Sequence, residues 1–192
     1  MDPTSETETS QGQDTTVLVQ KAIKGDVDAY GELYRIYLDR IYRYVFYLVG
    51  NTMMAEDITE EVFIKAWKAI KSCRGREKTF SPWLYRIAHN HMVDTLKKTP
   101  KNASSEFNDS AESKDVAQQV EVTLECQQVI KMISDLPELQ KQVIILKFLD
   151  GADNDEIEQI TGKRQGAIRA LQMRALITLR ERLNGEVNGN GA

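Results

Sequence analysis

The chain of 192 residues has little of what builds secreted or membrane-spanning proteins. Its two cysteines, Cys73 and Cys126, match neither a disulfide framework nor a zinc-ligand spacing, which is typical of a reducing cytoplasm. No run of about 18 apolar residues is present, so we expect no membrane insertion. The N-terminus is acidic and polar, the reverse of a secretory signal. With only four prolines and few strand-like runs, the sequence argues against an all-β fold. The cysteine usage favours a cytoplasmic protein.

Residues that support catalysis are also lacking. The sequence contains no carboxylate pair, no Ser/His/Asp set and no phosphate-binding glycine loop of a recognisable kind. His89 and His91 form an H-x-H pair without a cysteine or acid at metal-ligand spacing. We therefore expect no enzymatic activity and no metal or other cofactor.

What the sequence does have is an uneven distribution of charge. The chain carries 25 basic and 29 acidic residues, for a formal net charge of −4. Residues 65–98 nevertheless hold nine bases and two acids, and residues 163–182 hold six bases and one acid. Two basic islands in an acidic chain indicate two separate contacts with a polyanion. Solvated helix faces are the alternative explanation for either island alone.

Apolar periodicity predicts an all-α protein of two small helical domains joined by a flexible linker. The first domain is predicted at 16–98, the linker at 99–115 and the second domain at 116–184, with disordered tails at 1–15 and 185–192. The linker is rich in Ser, Asn and acids and has no aliphatic periodicity. Such a tether would let the two basic islands point in unrelated directions.

Capping residues predict several helix boundaries. Asp26 and Asp153 are expected as N-caps, and Gly50 is expected to end the long second helix. Ser81 is predicted to cap a further helix, with Pro82 at its first position. Six of the seven tyrosines lie in the second helix, where their spacing favours packing in the core over a platform for stacked nucleotides.

A helix-turn-helix pattern lies near the C-terminus. A short helix is followed by a turn containing Gly162 and by a helix that begins with basic and amide side chains. In this motif the second helix enters the major groove, where Arg pairs with guanine and Gln pairs with adenine. An amphipathic hairpin with a basic face is the alternative. The candidate DNA-binding residues are Lys163, Arg164, Gln165, Gly166, Arg169 and Arg174.

Several segments resemble the extracytoplasmic-function (ECF) sigma factors of bacterial RNA polymerase. They are KAIKGDVDAYGELY at 21–34, DITEEVFIKAW at 57–67, FSPWLYRIAHN at 80–90, and the stretch from LPELQKQVIILKFLDG at 136–151 to GAIRALQMRAL at 166–176. The resemblance covers residues 16–184. It implies a region 2 module, which binds core polymerase and melts the −10 promoter element, and a region 4 module, which reads the −35 element.

The resemblance also implies roles for residues of the first domain. The acidic face of the third helix corresponds to the family's polymerase-docking face, and its residues are Asp57, Glu60 and Glu61. The family usually has glutamine where this chain has Glu60. The basic loop 72–80 and the helix after it correspond to the family's single-strand capture site, which needs a basic track and pockets for unstacked bases. Its candidate residues are Arg74, Lys78, Arg86 and Asn90.

The implied function is a sigma factor that binds core RNA polymerase and promoter DNA. Because the family is often held inactive by an anti-sigma factor, the resemblance implies that partner as well. Two other hypotheses stay open: an autonomous helix-turn-helix regulator that does not dock on polymerase, and a protein-binding helical adaptor. The basic loop 72–80 argues against the autonomous regulator, because a reader of duplex DNA needs no single-strand funnel.

Overall fold

The computed structural model describes residues 15–73, 77–98 and 131–189, with the backbone alone described at 77–78 and 185–189. These residues form helices and turns, and no strand occurs among them, as the all-α prediction requires. The predicted linker at 99–115 and the predicted start of the second domain at 116 lie outside the described residues.

Eight helices, α1 to α8, follow one another in the described residues. The 3₁₀ turn Ile70–Ser72 follows α3, and the π turn Ile145–Leu149 extends α6. In chain order the helices are α1 at 15–23, α2 at Val27–Val49, α3 at Thr52–Ala69, α4 at Glu77–Lys98, α5 at 131–134, α6 at Glu138–Ile144, α7 at Asn154–Thr161 and α8 at Gln165–Gly189.

Side-chain caps and left-handed glycines set several of these boundaries, as predicted. The Asp26 carboxylate accepts a hydrogen bond from the Ala29 N–H at 3.0 Å, and Asp153 accepts one from the Glu156 N–H at 2.7 Å. Each bond satisfies an amide that has no partner inside its own helix. Gly50 ends α2 with a φ of 70°, a conformation that a residue with a Cβ rarely adopts.

The predicted start of α4 at Ser81 and Pro82 is wrong, because the helix begins at Glu77 and Pro82 lies inside it. Phe80 is fully buried and packs edge-on against Tyr37, with ring centroids 5.2 Å apart, so the turn before Pro82 is anchored to the core. Pro82 is the sixth residue of α4, so the helix loses the hydrogen bond that an N–H here would make to the carbonyl four residues earlier, and the buried contact of Phe80 offsets this loss.

The C-terminal boundary of the second domain also differs from the prediction. Helix α8 continues to Gly189, five residues into the predicted tail at 185–192. A helix that has already formed gains one hydrogen bond for each added residue. The low helix propensity of glycine and asparagine is therefore insufficient to end α8 at 184.

Helix α2 is the centre of the first domain and packs against α3 and α4. All six of its tyrosines are buried or packed against the core, which confirms their structural role. Burial of each large apolar side chain contributes about 1.5–3 kcal/mol. The buried residues of α2 are Ala29, Leu33, Tyr37, Ile41, Tyr44, Val45 and Leu48.

The second domain packs α6 and α7 against α8. Ile157 of α7 and Ile168 of α8 are both fully buried, and they hold the two helices of the helix-turn-helix together. The domain does not stand apart from the first one, because α7 contacts α4 and the π turn contacts α2. This contact corrects the expectation that the tether leaves the two modules in unrelated directions.

We expect Gly162→Ala to lower the free energy of unfolding by about 1–2 kcal/mol, because Gly162 has a φ of 69° and a Cβ is strained there. Gly166→Ala is the matched control. It lies in the first turn of α8, where a Cβ would meet nothing within 4 Å. Its substitution should be neutral or stabilising by up to about 1 kcal/mol. Urea titrations of both variants check this, and equal effects would contradict it.

Candidate functional site

The three predicted polymerase-docking acids lie on one exposed face of α3. Asp57, Glu60 and Glu61 share this face with two large apolar residues, Met53 and Ile64, which are 70% and 52% exposed. The spacing of these positions, at three, four and seven residues, gives a continuous stripe. Sequence reasoning missed Met53 and Ile64, although both fall outside the buried stripe of the same helix. We call these five residues the docking stripe.

The acids of the docking stripe differ in their contacts. Glu61 Oε2 lies 2.8 Å from His91 Nε2 and 3.8 Å from Lys65 Nζ, so α4 holds this carboxylate in place. Asp57 and Glu60 form no ion pair with any other residue that the structure describes. Their charges therefore face outward and are the ones open to a basic partner.

Two of the four candidates for the −10 strand come together on α4. Arg86 and Asn90 are both exposed and lie one turn apart. Arg86 lines a cavity with Trp83, whose ring lies 5.8 Å from the Phe80 ring. An arginine beside an aromatic ring suits an unstacked base. The side chains of the other two candidates cannot be placed in the same way. Arg74 lies outside the described residues, and Lys78 is described in its backbone only.

The helix-turn-helix is present as predicted. Gly162 ends α7 with a left-handed φ, and its N–H donates to the Glu158 carbonyl at 2.8 Å. The Arg164 carbonyl accepts from the Ala167 and Ile168 amides and so begins α8. The turn consists of three residues, and its two basic side chains, at 163 and 164, are exposed.

The recognition helix α8 brings some of the predicted DNA-binding residues together. Gln165 donates to Asp155, and Arg169 Nη2 donates to Gln165 Oε1 at 3.3 Å, which aligns the two side chains. Gly166 is exposed on the same turn. Arg174 lies about 140° around the helix from Arg169, at about 100° per residue, and its Nε donates to a backbone carbonyl instead. The two arginines therefore address different surfaces.

One base of the second island has a structural role that the sequence did not predict. Arg182 Nη1 donates to the Met132 carbonyl at 3.1 Å and lies 3.5 Å from the Asp135 carboxylate. A cation at these carbonyls neutralises the negative end of α5. Arg182 therefore anchors α8 to the start of the second domain.

A buried polar network joins the two domains. Gln142 Nε2 donates to the Tyr44 hydroxyl at 2.9 Å, and both side chains are almost fully buried. His89 Nδ1 lies 3.3 Å from each of them. Desolvation in this position lowers the pKa of His89, so the imidazole stays neutral and retains an acceptor nitrogen.

Two further hydrogen bonds cross the domain boundary. Tyr85 OH donates to Asp150 Oδ2 at 2.8 Å, and Ser81 Oγ donates to Glu156 Oε1 at 2.6 Å. Burial raises the pKa of Asp150, while the Tyr85 hydrogen bond and the guanidinium of Arg40 oppose that shift. The Arg40 guanidinium also lies over the Tyr85 ring at 5.9 Å. We call the three direct bonds, Gln142–Tyr44, Tyr85–Asp150 and Ser81–Glu156, the interdomain latch.

Both modules of the sigma-70 family match this chain. The family model for Sigma-70 region 2 matches residues 33–101, and that for Sigma-70 region 4 matches residues 126–179. The chain therefore has the two conserved modules of a sigma-70 protein in their usual order.

Individual proteins similar to this chain show which group of sigma-70 proteins it resembles. The chain is 32% identical over 177 residues to the ECF RNA polymerase sigma factor SigW of Bacillus subtilis, covering 86% of this chain and 94% of SigW. It is also 32% identical over 166 residues to BldN of Streptomyces coelicolor, covering 84% of this chain but 63% of BldN. The solved structure of CnrH in complex with the cytosolic domain of CnrY has the same fold, at 21% identity and a TM-score of 0.70, covering 90% of this chain and 98% of that one.

The chain belongs to the ECF sigma factors, a group whose members bind core RNA polymerase and direct it to promoters. This membership disfavours the autonomous regulator. None of the helices in the described parts of the chain is both long and apolar enough to cross a membrane.

We expect acidification to destabilise the protein through His89. Burial lowers the folded-state pKa of His89, so the folded protein favours the neutral imidazole. The resulting contribution to the free energy of unfolding is complete above the unfolded-state pKa of 6.5 and is lost as the pH falls from there through the lowered folded-state pKa. The His89→Gln variant keeps an acceptor but does not titrate. Urea unfolding between about pH 8 and about pH 5.5 should show a shallower pH dependence for this variant than for wild type.

Other titratable groups near His89 also contribute to the pH dependence, and a second variant separates their effect from that of His89. The Glu138 carboxylate opposes the shift, and the pKa of His91 is also lowered, chiefly by burial. The His91→Gln variant is therefore measured in parallel. An unchanged slope in His89→Gln would contradict the assigned role of His89.

Proposed function

We propose that this sigma factor acts in the cytoplasm as a non-enzymatic initiation factor with three separate contact surfaces. The docking stripe on α3 binds core polymerase, α4 and the loop before it capture the −10 strand, and the start of α8 reads the −35 element. The observation that carries the proposal is the docking stripe, in which Asp57 and Glu60 are exposed and without an ion-pair partner among the described residues.

The docking stripe suits a basic helical partner surface. Exposed apolar residues flanked by charges are typical of interfaces in which a helix lies in a groove. Met53 and Ile64 supply apolar contact area, while Asp57 and Glu60 supply charge that fixes orientation and accelerates encounter. The carboxylate of Glu61 is already held by His91, so we assign it a smaller share of the binding energy.

The −10 strand is assigned to the exposed face of α4. Arg86 extends the basic character of the preceding loop, to which Arg74 and Lys78 belong, and Asn90, one turn further along, adds a neutral amide for hydrogen bonds. A cation that follows the phosphates, next to an aromatic ring that a base can stack on, is the usual construction of a single-strand site. Trp83 beside Arg86 provides that ring.

The −35 element is assigned to the turn and first helical turns of α8. The exposed bases at 163 and 164 face the phosphates, while Gln165 and Arg169 are aligned side by side for base edges. Gly166 leaves the backbone accessible to phosphate, since nothing lies within 4 Å of its missing Cβ. Arg174, on another side of α8, suits a phosphate rather than the same base pair.

An anti-sigma factor is the proposed inhibitor. The solved relatives include CnrH bound to the cytosolic domain of CnrY and a Bartonella quintana RpoE bound to the anti-sigma factor NepR. CnrY is the partner of CnrH, and NepR is the partner of that RpoE. We expect a partner of the same class for this chain, because sigma factors of this group are commonly controlled by such proteins.

Glu60→Lys should weaken binding to core polymerase at least about tenfold, which corresponds to roughly 1.4 kcal/mol. The reversed charge would face the same basic partner surface and repel it. Asp39→Lys is the matched control, because Asp39 is an exposed acid on α2, outside α3, and forms no ion pair among the described residues. Fluorescence titration with core polymerase checks the affinities, and circular dichroism checks the fold. Equal affinity of both variants would contradict the assignment.

Arg169→Ala and Arg174→Ala should affect promoter binding in different ways. If Arg169 contacts a base, its loss costs about 1–3 kcal/mol and relaxes the preference at one position. If Arg174 contacts a phosphate, its loss weakens binding evenly across sequences and lowers the salt slope by about one. Binding of the holoenzyme to a library of −35 sequences at several salt concentrations separates the two. Wild-type behaviour of both variants would refute the recognition-helix assignment.

A further inference from the structure

The first turn of α7 lies beside two amide side chains of α8. Asp155 Oδ1 accepts a hydrogen bond from Gln165 Nε2, and Asn154 Oδ1 accepts one from Gln172 Nε2 at 3.2 Å. The two glutamines are about two helical turns apart on α8. Helix α7 therefore fixes the direction of polar side chains on the recognition helix, in addition to the apolar packing that holds the two backbones together.

The two ends of the Gln165 amide have different partners. Its Nε2 donates to Asp155, while its Oε1 accepts from Arg169 Nη2 at 3.3 Å. Because a carboxylate only accepts hydrogen bonds, Asp155 selects the nitrogen end of the amide. The oxygen end then faces Arg169, one turn further along α8, and a guanidinium only donates. The amide thus links an acceptor on α7 to a donor on α8 in one orientation.

Arg169 keeps most of its donors for a ligand. The side chain is exposed, and only one Nη2 hydrogen is committed to Gln165. The Nη1 hydrogens and the second Nη2 hydrogen remain, and together they form the planar fork that matches O6 and N7 of guanine. A guanidinium that is already held in place loses less side-chain entropy when it binds a base. The contact with Gln165 therefore prepares Arg169 for guanine.

Gln165 is less suited than Arg169 to contact a base directly. Pairing with adenine requires the oxygen and the nitrogen of one amide to face the same base edge. Here the nitrogen is turned to α7 and the oxygen to Arg169. Of the two aligned side chains, Arg169 is therefore the one that reads the base, and Gln165 supports it.

We propose that Asp155 is a positioning residue for promoter recognition, which holds the Arg169 guanidinium through the Gln165 amide so that Arg169 reads a guanine in the −35 element. The inference rests on the proposed function, from which it takes the assignment of α8 to this element. It adds a residue on the first helix of the motif that controls specificity without contacting DNA, and it names the base that is read.

The charge of Asp155 distinguishes this role from a simple contribution to DNA affinity. Asp155 is exposed beside the recognition helix and has the same sign of charge as the phosphates, so it opposes binding to any DNA sequence. Its loss should therefore reduce discrimination between bases while the affinity for non-specific DNA stays equal or rises. Loss of a residue that only stabilises the fold would lower both quantities.

The test separates the charge of Asp155 from its hydrogen bond. Asp155→Ala removes both, whereas Asp155→Asn removes the charge and keeps an oxygen that accepts from Gln165. Glu158→Ala is the charge control, because Glu158 lies on the same helix and its side chain forms no hydrogen bond or ion pair within the part of the chain that the structure describes. Gln165→Ala breaks the same link from the other side. Circular dichroism checks that each variant folds.

The readout is binding of the holoenzyme to promoter duplexes in which each −35 position is varied in turn. Wild type should prefer guanine at one position, and Arg169→Ala should abolish that preference. Asp155→Ala and Gln165→Ala should each reduce it about three- to tenfold at the same position. Asp155→Asn and Glu158→Ala should keep it within about twofold of wild type. Added to Arg169→Ala, the Asp155→Ala change should have no further effect on the preference.

The possible results distinguish the positioning role from the assignment on which it rests. An unchanged preference in Asp155→Ala, an equal loss in Asp155→Asn, or a uniform loss at every −35 position would overturn the positioning role. A base other than guanine at the position that Arg169→Ala affects would overturn the assigned base. If Arg169→Ala itself leaves every preference unchanged, the assignment of α8 is wrong and the inference is overturned with it.

Discussion

The buried hydrogen bond between Gln142 and Tyr44 is the constraint on which the rest of the arrangement depends. It joins the two domains at a point without access to water, where an unpaired amide or hydroxyl costs about 1–3 kcal/mol. The two groups therefore specify one position of the second domain on the first. With that position fixed, Tyr85 reaches Asp150 and Ser81 reaches Glu156. The placement of α7 against α4 follows from this contact.

The contact between the two domains combines polar and apolar groups. The separated groups of a polar interface are rehydrated by water. An apolar interface of the same size would cost more to separate, because its surface would be exposed to water on opening. The apolar core around α2 continues into the second domain as far as Ile157 and Ile168, so hydrophobic burial also holds the two domains together.

Local features of the sequence predicted much of the fold and of the exposed surfaces. Asp26, Asp153 and Gly162 act at helix ends through backbone hydrogen bonds, which depend on neighbours within a few residues. The positions of the docking acids and of Arg169 followed from helical periodicity in the same way. The interdomain latch could not be predicted, because Tyr44 and Gln142 are 98 positions apart and read locally as core residues. The predicted start of α4 at Ser81 and Pro82 was wrong for a related reason, because Phe80 holds the earlier turn of the helix through a tertiary contact with Tyr37.

The central claim is that α7 lies against α4 in the free protein. A photo-reactive p-benzoylphenylalanine at position 159 measures this directly, because Gln159 lines the cavity beside Trp83 and Arg86. In the free chain, irradiation should crosslink position 159 to the segment 79–86, as mapped by mass spectrometry. Absence of this crosslink in the free chain would contradict the account.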